Sequence, residues 1–317
     1  MKKIIYIFIT ILMLISLAAC NSEVTYECTP ISVFDTVVTM VFYDDANYKT
    51  YYNDIKAKFN EINRISDDFN INTDKNNVYV LNDKREVESS LLKDMLTKVL
   101  ELKEETNGYF NPFIGRLTHK WKDAIKNNNV LSSTEIEEEL SLMNNTTISF
   151  DGDIIKLEGQ GNIDLGAFAK GYALEWAKNY LEEKKVDKYY INCGSSSIYV
   201  ANKELNISLS KPYSNDSILD FKASNIGIAT SSPKYQYSVI NGEKYHHLIN
   251  PFTGYPSNIY DSVNVIGNNN MKNDIYSTAF FSMSVDDVKE FVKDKDINVI
   301  LYKDNEIIYQ KEKLWVD

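Results

Sequence analysis

The first apolar pattern in the chain is a block rather than a rhythm. Ile4 to Leu17 is predominantly hydrophobic, preceded by Lys2 and Lys3 and followed by Leu17-Ala18-Ala19-Cys20. The block is shorter than the ~20 residues a spanning helix needs. A positive start, a short apolar stretch and small residues before a cysteine are the layout of an export signal. Residues 1–19 are therefore read as a leader, and the polar stretch 20–30 as a tether. After that the pattern becomes periodic. Ile31 to Tyr43 is rich in β-branched and aromatic residues and predicts a strand. Ile55, Phe59 and Ile62 set a helical spacing over Tyr51 to Ile65. Asn70 to Asn82 reads as an asparagine-rich loop. Ser89 to Thr106 is a helix with serine caps and one apolar face, ended by Asn107-Gly108. Ser133 to Leu140 predicts a short acidic helix, and Ile148 to Leu157 a hairpin around Asp151-Gly152. A glycine-rich run from Gly159 to Gly166 feeds a helix with apolar positions at Ala169, Tyr172, Ala173, Trp176, Ala177, Tyr180 and Leu181. A strand over Lys188 to Asn192, a tight Cys193-Gly194-Ser195 turn and a further strand follow. Ser262 to Ile266 is strand-like, Asp274 to Met283 helix-like, and Asn298 to Tyr309 predicts a closing strand pair. There is no regular strand–helix–strand alternation. The expectation is an α+β fold, mixed sheets flanked by helices, in one domain over residues 31–317.

Composition adds the material for a core, with 44% hydrophobic residues, and removes one class of partner. The formal net charge is −11, and loss of the leader's lysines makes it more negative. No basic run is present, which argues against nucleic-acid binding and against charge-driven attachment to an anionic membrane. A phosphate ligand would need a local device such as a metal or a helix start. Cysteine is sparse: beyond Cys20 only Cys28 and Cys193 remain. They could pair in an exported chain, but their separation makes this a weak expectation.

Glycine and proline are scarce too, with 12 and 6 in the chain, yet they gather in three segments: Asn107 to Gly115, Gly159 to Gly171, and His246 to Pro256. Each could be merely a turn, or a place where backbone approaches a ligand. The glycine loop leading into the helix at Phe168 offers free N–H groups and a favourable dipole for an anion, with Lys170 in the first turn. Asp274 and Thr278 lie four apart on a predicted helix and share a face; carboxylate plus hydroxyl suits a hard cation. The same aspartate could equally be a helix cap. His247 is the strongest acid–base candidate, held by a Pro-Phe-Thr-Gly turn, though His246 beside it competes for the role.

Taken together these segments resemble the ApbE-type flavin transferases. Phe34-Asp35-Thr36 stands where that family has Met-Gly-Thr. Gly108-Tyr109-Phe110-Asn111-Pro112 to Trp121 is similar to its Gly-x-Phe-Asp segment and following tryptophan. Asn162-Ile163-Asp164-Leu165-Gly166-Ala167-Phe168-Ala169-Lys170-Gly171-Tyr172 is close to its Asp-Leu-Gly-Gly-x-Ala-Lys-Gly-Tyr core. Asn192-Cys193-Gly194, Ala229-Thr230-Ser231, His247 to Gly254 and Asp274 to Thr278 follow in the family's order. The resemblance implies a T-fold-related architecture and transfer of FMN from FAD to a serine or threonine hydroxyl of a partner flavoprotein, with AMP released. It implies FAD contacts from Phe34, Tyr109, Phe110, Asn111, Asp164, Lys170 and Ile249. It implies Mg2+ held by the Ala167 carbonyl, Asp274, Thr278 and, where some members carry a second acid, Ser277. His247 would be the general base. Asn111 and Asn250 replace aspartates common in the family. The Leu-Ala-Ala-Cys ending resembles a lipobox, which implies lipidation of Cys20, anchoring at the outer face of the cell membrane, and exported or membrane-embedded electron-transfer flavoproteins as acceptors. Two other readings stay open: hydrolysis of FAD to FMN and AMP, and a non-catalytic exported flavin-binding lipoprotein.

Overall fold

Alternation at period two builds the main sheet. In the third strand Val38, Met40 and Phe42 point inward and are buried, while Val37 before them is exposed and Thr39 and Val41 between them are half-buried, the signature of a strand with one covered face. The structure, a computed structural model, describes residues 23–69, 74–194, 196–234 and 236–314. The leader and Cys20 lie outside the described residues.

In chain order the elements are β1 (Thr25–Glu27), β2 (Ile31–Val33), β3 (Thr36–Tyr43), α1 (Tyr48–Ile65), α2 (Val78–Lys84), β4 (Glu86–Glu88), α3 (Ser90–Glu105), α4 (Gly115–Lys126) and α5 (Ser133–Asn144). The hairpin β5 (Thr147–Asp151) and β6 (Ile154–Glu158) follows, then α6 (Ala169–Glu183), β7 (Lys188–Cys193), β8 (Ser197–Ala201), β9 (Leu205–Ser210), β10 (Ser217–Ala223) and β11 (Ile226–Ser231). The last third holds β12 (Tyr237–Ile240), β13 (Glu243–His246), β14 (Ser262–Gly267), α7 (Asn270–Phe280), α8 (Val285–Val292), β15 (Ile297–Lys303) and β16 (Glu306–Gln310). Among the described residues one nine-stranded sheet runs β1-β3-β7-β8-β11-β14-β15-β16, with β2 also on β3. Its ladders are antiparallel throughout. One face carries α1, α6 and α7 over the main core. The other is covered by the β9–β10 hairpin, whose Ile207, Leu209 and Phe221 pack on Val200, Ile228, Ile266 and Ile300. The α+β expectation is met.

Several boundaries differ from the sequence reading, each for a physical reason. The tether expected over 20–30 is interrupted, because Thr25–Glu27 pairs with Val41–Tyr43. The strand expected over Ile31 to Tyr43 is a hairpin. Val33 faces Thr36, and Phe34 and Asp35 between them have φ of 55° and 54°, a primed two-residue turn. Left-handed backbone costs a non-glycine residue about 1–2 kcal/mol. Here it is held by the Phe34 N–H donating to Asn63 Oδ1 at 2.7 Å and by the Phe34 ring against Phe59. The asparagine-rich loop turns helical at Val78, where Asn77 caps α2 through Val80 N–H. Asp274 is not a helix cap: α7 starts four residues earlier, capped by Asn269. Cys28 and Cys193 are both free thiols.

Candidate active site

The three glycine- and proline-rich segments converge. Gly115 N–H donates to Asn162 O at 2.9 Å and Asp164 N–H to Pro112 O at 2.8 Å, zipping the second segment to the first. Tyr109 meets Phe252 edge-on at 4.8 Å, and Trp121 Nε1 donates to Gly254 O at 2.7 Å, tying the third to the first and to α4 behind it. The glycine loop is held from behind by Asn82, which exchanges hydrogen bonds with both main-chain groups of Ile163, and by Arg85 on the carbonyls of Gly159 and Gly161. Asn82 and Arg85 have no signal in sequence beyond lying before a strand.

At the start of α6 the backbone closes on α7. A Cβ on Gly171 would sit 2.7 Å from both Asn270 O and Asp274 Cβ, so only glycine permits the approach. In consequence Gly171 N–H donates to Asp274 Oδ2 at 2.7 Å, and Ser197 Oγ donates to Oδ1 at 2.6 Å. The helix start expected to bind an external anion thus already holds one, the protein's own carboxylate. Asp274 is 6% exposed. Burial lifts its pKa, with Lys170, Ser197 and Gly171 pulling the other way. Among the described residues no lysine or arginine reaches ion-pair distance of it. Lys170 itself donates to Gly166 O at 3.4 Å, and Asp164 accepts Gly166 N–H at 2.7 Å. Below Asp274, Ser277 and Thr278 donate to its main-chain carbonyl at 2.9 and 3.2 Å, and both meet Ser231 Oγ at 2.8 and 3.3 Å. Ala167 lies in the turn just ahead of α6. Asp274, Ser277 and Thr278 are therefore brought together as the sequence suggested. Ser197 was missed, and its only sequence signal is the serine run after Gly194.

The two histidines separate. His246 ends β13, is 1% exposed, packs edge-on against Phe281 and accepts Leu248 N–H on Nδ1 at 3.2 Å. It is a structural residue. His247 has its Nδ1 buried with no hydrogen-bond partner. Burial holds both rings neutral, lowering each pKa to about 4; on His247 the charges of His246, Lys122 and Lys170 add to this, and the Gln236 main chain opposes it.

The remaining candidates divide by where their side chains point. Tyr109 and Ile249 are half-buried at the junction of the segments, and Phe34 is half-buried on its turn. The Phe110 ring is in the core at 5% exposed, so a ligand there could meet only its main chain. Asn111 Oδ1 accepts Phe113 N–H at 3.0 Å, and Asn250 Oδ1 accepts Phe252 and Thr253 N–H at 2.8 and 3.2 Å. Both asparagines close turns, which aspartate would close equally well. Asn250 does not orient His247, so that departure leaves the base's setting intact. A pair absent from the sequence reading borders the site: His119 Nε2 and Asp68 Oδ2 are 2.7 Å apart, and Phe69 stacks on the imidazole. Burial raises the Asp68 pKa, with His119 opposing and the nearby charge of Asp164 adding to it.

Comparison with known proteins agrees with this geometry. The chain is 30% identical over 183 residues to the FAD:protein FMN transferase of Klebsiella pneumoniae, a match spanning 56% of this chain and 57% of that relative. The Haemophilus influenzae protein of the same name is 24% identical over 95% of this chain and 93% of its own length. The crystal structure of the ApbE protein of Thermotoga maritima superposes with a TM-score of 0.76 at 26% identity, covering 88% of this chain and 94% of that one. The flavin transferase ApbE from Vibrio cholerae shares the fold at a TM-score of 0.71 and 18% identity, over 88% and 93% of the two chains. Residues 34–301, most of the chain, match the ApbE family as a whole, and the protein belongs to that family.

Proposed function

We propose that this chain is an FAD:protein FMN transferase that uses Mg2+ and joins FMN to a serine or threonine hydroxyl of a partner protein. The observation that carries the metal half of this reading is Asp274: a buried carboxylate with two neutral donors and no ion-pair partner is costly unless a cation completes it. Among the described residues no three His, Cys, Asp or Glu side chains converge. A cation would rest on Asp274, the hydroxyls of Thr278 and Ser277 and the Ala167 carbonyl, an all-oxygen set that suits Mg2+ and leaves positions for phosphate oxygens. When bound, it supplies charge to the phosphoryl oxygens during transfer. Lys170 and the glycine loop would hold the pyrophosphate, with Asp164, Phe34, Tyr109 and Ile249 against the rest of FAD. His247 is neutral and has a ring nitrogen unspoken for. It accepts the acceptor hydroxyl's proton as the new O–P bond forms and the bond to AMP breaks.

The leader and Cys20 support an exported protein lipid-anchored at the outer face of the membrane, acting on exported or membrane flavoproteins. Mass spectrometry of a candidate acceptor domain incubated with protein, FAD and Mg2+ tests the reading. The expected result is a gain of one FMN, lost with EDTA and reduced by ~10²-fold or more in His247→Ala. Free FMN and AMP with no labelled acceptor would instead establish FAD hydrolysis. Intact FAD would leave a binding protein.

A further inference from the structure

We propose that the free edge of β12 is the docking strand for the acceptor: an extended acceptor segment adds to the β12–β13 hairpin as a third strand and so presents its hydroxyl to His247. The inference rests on the transferase reading above and names how the partner is held.

Tyr237 pairs with His246, and continuing that register sets Gln236 opposite His247. The contact is direct, because the Gln236 main chain acts on the His247 ring. The hairpin forms a sheet of its own, with no third strand among the described residues. Its two edges are not equivalent. Lys244 O accepts Asn258 Nδ2 at 3.3 Å, so that carbonyl points away from β12. In an antiparallel pair this makes Val239–Lys244 a non-hydrogen-bonded pair, and Tyr237–His246, two residues along, another. The outward groups of β13 therefore face the loop that carries Asn258. Those of β12, at Tyr237 and Val239, have no backbone partner among the described residues, and these two residues are 39% and 56% exposed.

Exposed edges are normally protected by charge, proline, a bulge or brevity. At the ends of the main sheet β1 is three residues long and ends on Glu27, and β16 begins on Glu306. The edge formed by Tyr237-Ser238-Val239-Ile240 is also short, at four residues, but carries no charge, proline or bulge. Such an edge reads an extended backbone irrespective of side chains, which suits a partner selected by one hydroxyl.

The pleat then sorts the added strand's side chains. Ser238, Tyr245 and His247 share the face toward α4, where Tyr245 stacks on Trp121. Tyr237 and Lys244 share the other, where a cleft of about 350 Å³ is lined by Tyr213, Lys244, Asp261 and Tyr302. A strand laid beside β12 puts the residue opposite Gln236 about 10 Å from the His247 backbone, within the combined reach of an imidazole and a hydroxyl side chain. Its neighbours on either side point to the face that carries the cleft.

Val239→Pro tests this, since the Val239 N–H is not used by the hairpin and proline is tolerated at such a position. With an acceptor domain that the wild-type protein flavinylates, the variant should raise KM for the acceptor by about tenfold or more and leave KM for FAD unchanged. Val239→Ala, which keeps the N–H, should behave as wild type. In the wild-type protein the amides of Tyr237 and Val239 should exchange more slowly when the acceptor is added, which decides the matter should the proline variant fold poorly. An unchanged acceptor KM in Val239→Pro, or unchanged exchange at these amides, overturns the docking edge while wild-type labelling keeps the transferase reading. Failure of the wild-type protein to label any acceptor would remove both.

Discussion

The two halves of the site are built differently. The half around Asp274 is set between α6, α7 and the middle of the nine-stranded sheet, with side chains almost wholly buried and glycines chosen for close approach. The half around His247 stands on a two-stranded hairpin and a five-residue turn pinned by Trp121. Charge placement by a fixed, dry frame is what phosphate chemistry needs. Admission of a whole protein as second substrate needs an accessible wall. The site is thus tightly packed where the small ligand would sit and open where the large one would.

The largest effect is expected from Asp274→Asn, which should cut flavin transfer by ~10³-fold or more. Because it removes a buried charge, it should leave the melting temperature equal or higher; a clear drop in melting temperature would mean the carboxylate is there for the fold. Next is Gly194→Ala. The added Cβ would lie 1.9 Å from Thr36 Oγ1 at a φ of +68°, so denaturant unfolding should show a loss of about 3 kcal/mol or more. On the open half Gly242→Ala, at φ +88° with nothing within 4 Å, should lose only about 1 kcal/mol. Equal losses at the two glycines would mean that the two halves are equally tightly built. Acid is a third probe. Both His246 and His247 have folded-state pKa values near 4, against 6.5 unperturbed. The unfolded chain therefore takes up protons first. This contribution to stability is whole above about pH 6.5, is lost as pH falls toward 4, and changes no further below that. His247→Ala and His246→Gln together should flatten that part of the curve. The smallest effect is expected from Asn250→Asp, which keeps the turn and should leave kcat within about threefold at pH 7.

Much of this was legible because it is local. Ser89 caps α3 as its position before an apolar face requires, and the Asp151-Gly152 hairpin forms where alternation breaks. Spacing put Asp274 and Thr278 on neighbouring turns of one helix, the family resemblance added Ser277, and the structure keeps the three together. What escaped is what depends on distant chain. Nothing in Asn82 or Arg85 announces that they hold a loop some 80 residues on. The carboxylate on the Gly171 N–H at the α6 start escaped for the same reason, since it comes from 103 residues away. The Phe34-Asp35 turn was hidden because Phe34 is not a habitual left-handed residue, and Asn63 and Phe59 make it tenable.

Cys193 closes β7 directly before the Gly194 turn and is wholly enclosed, its thiol pushed up to about 12 by burial. In that state it is inert to electrophiles. Since Cys28 lies at a different depth, with its thiol raised to about 11, the two modify on different clocks. The slower clock is an intrinsic meter of how often the sheet parts beside the site, readable with a thiol reagent and without changing a residue.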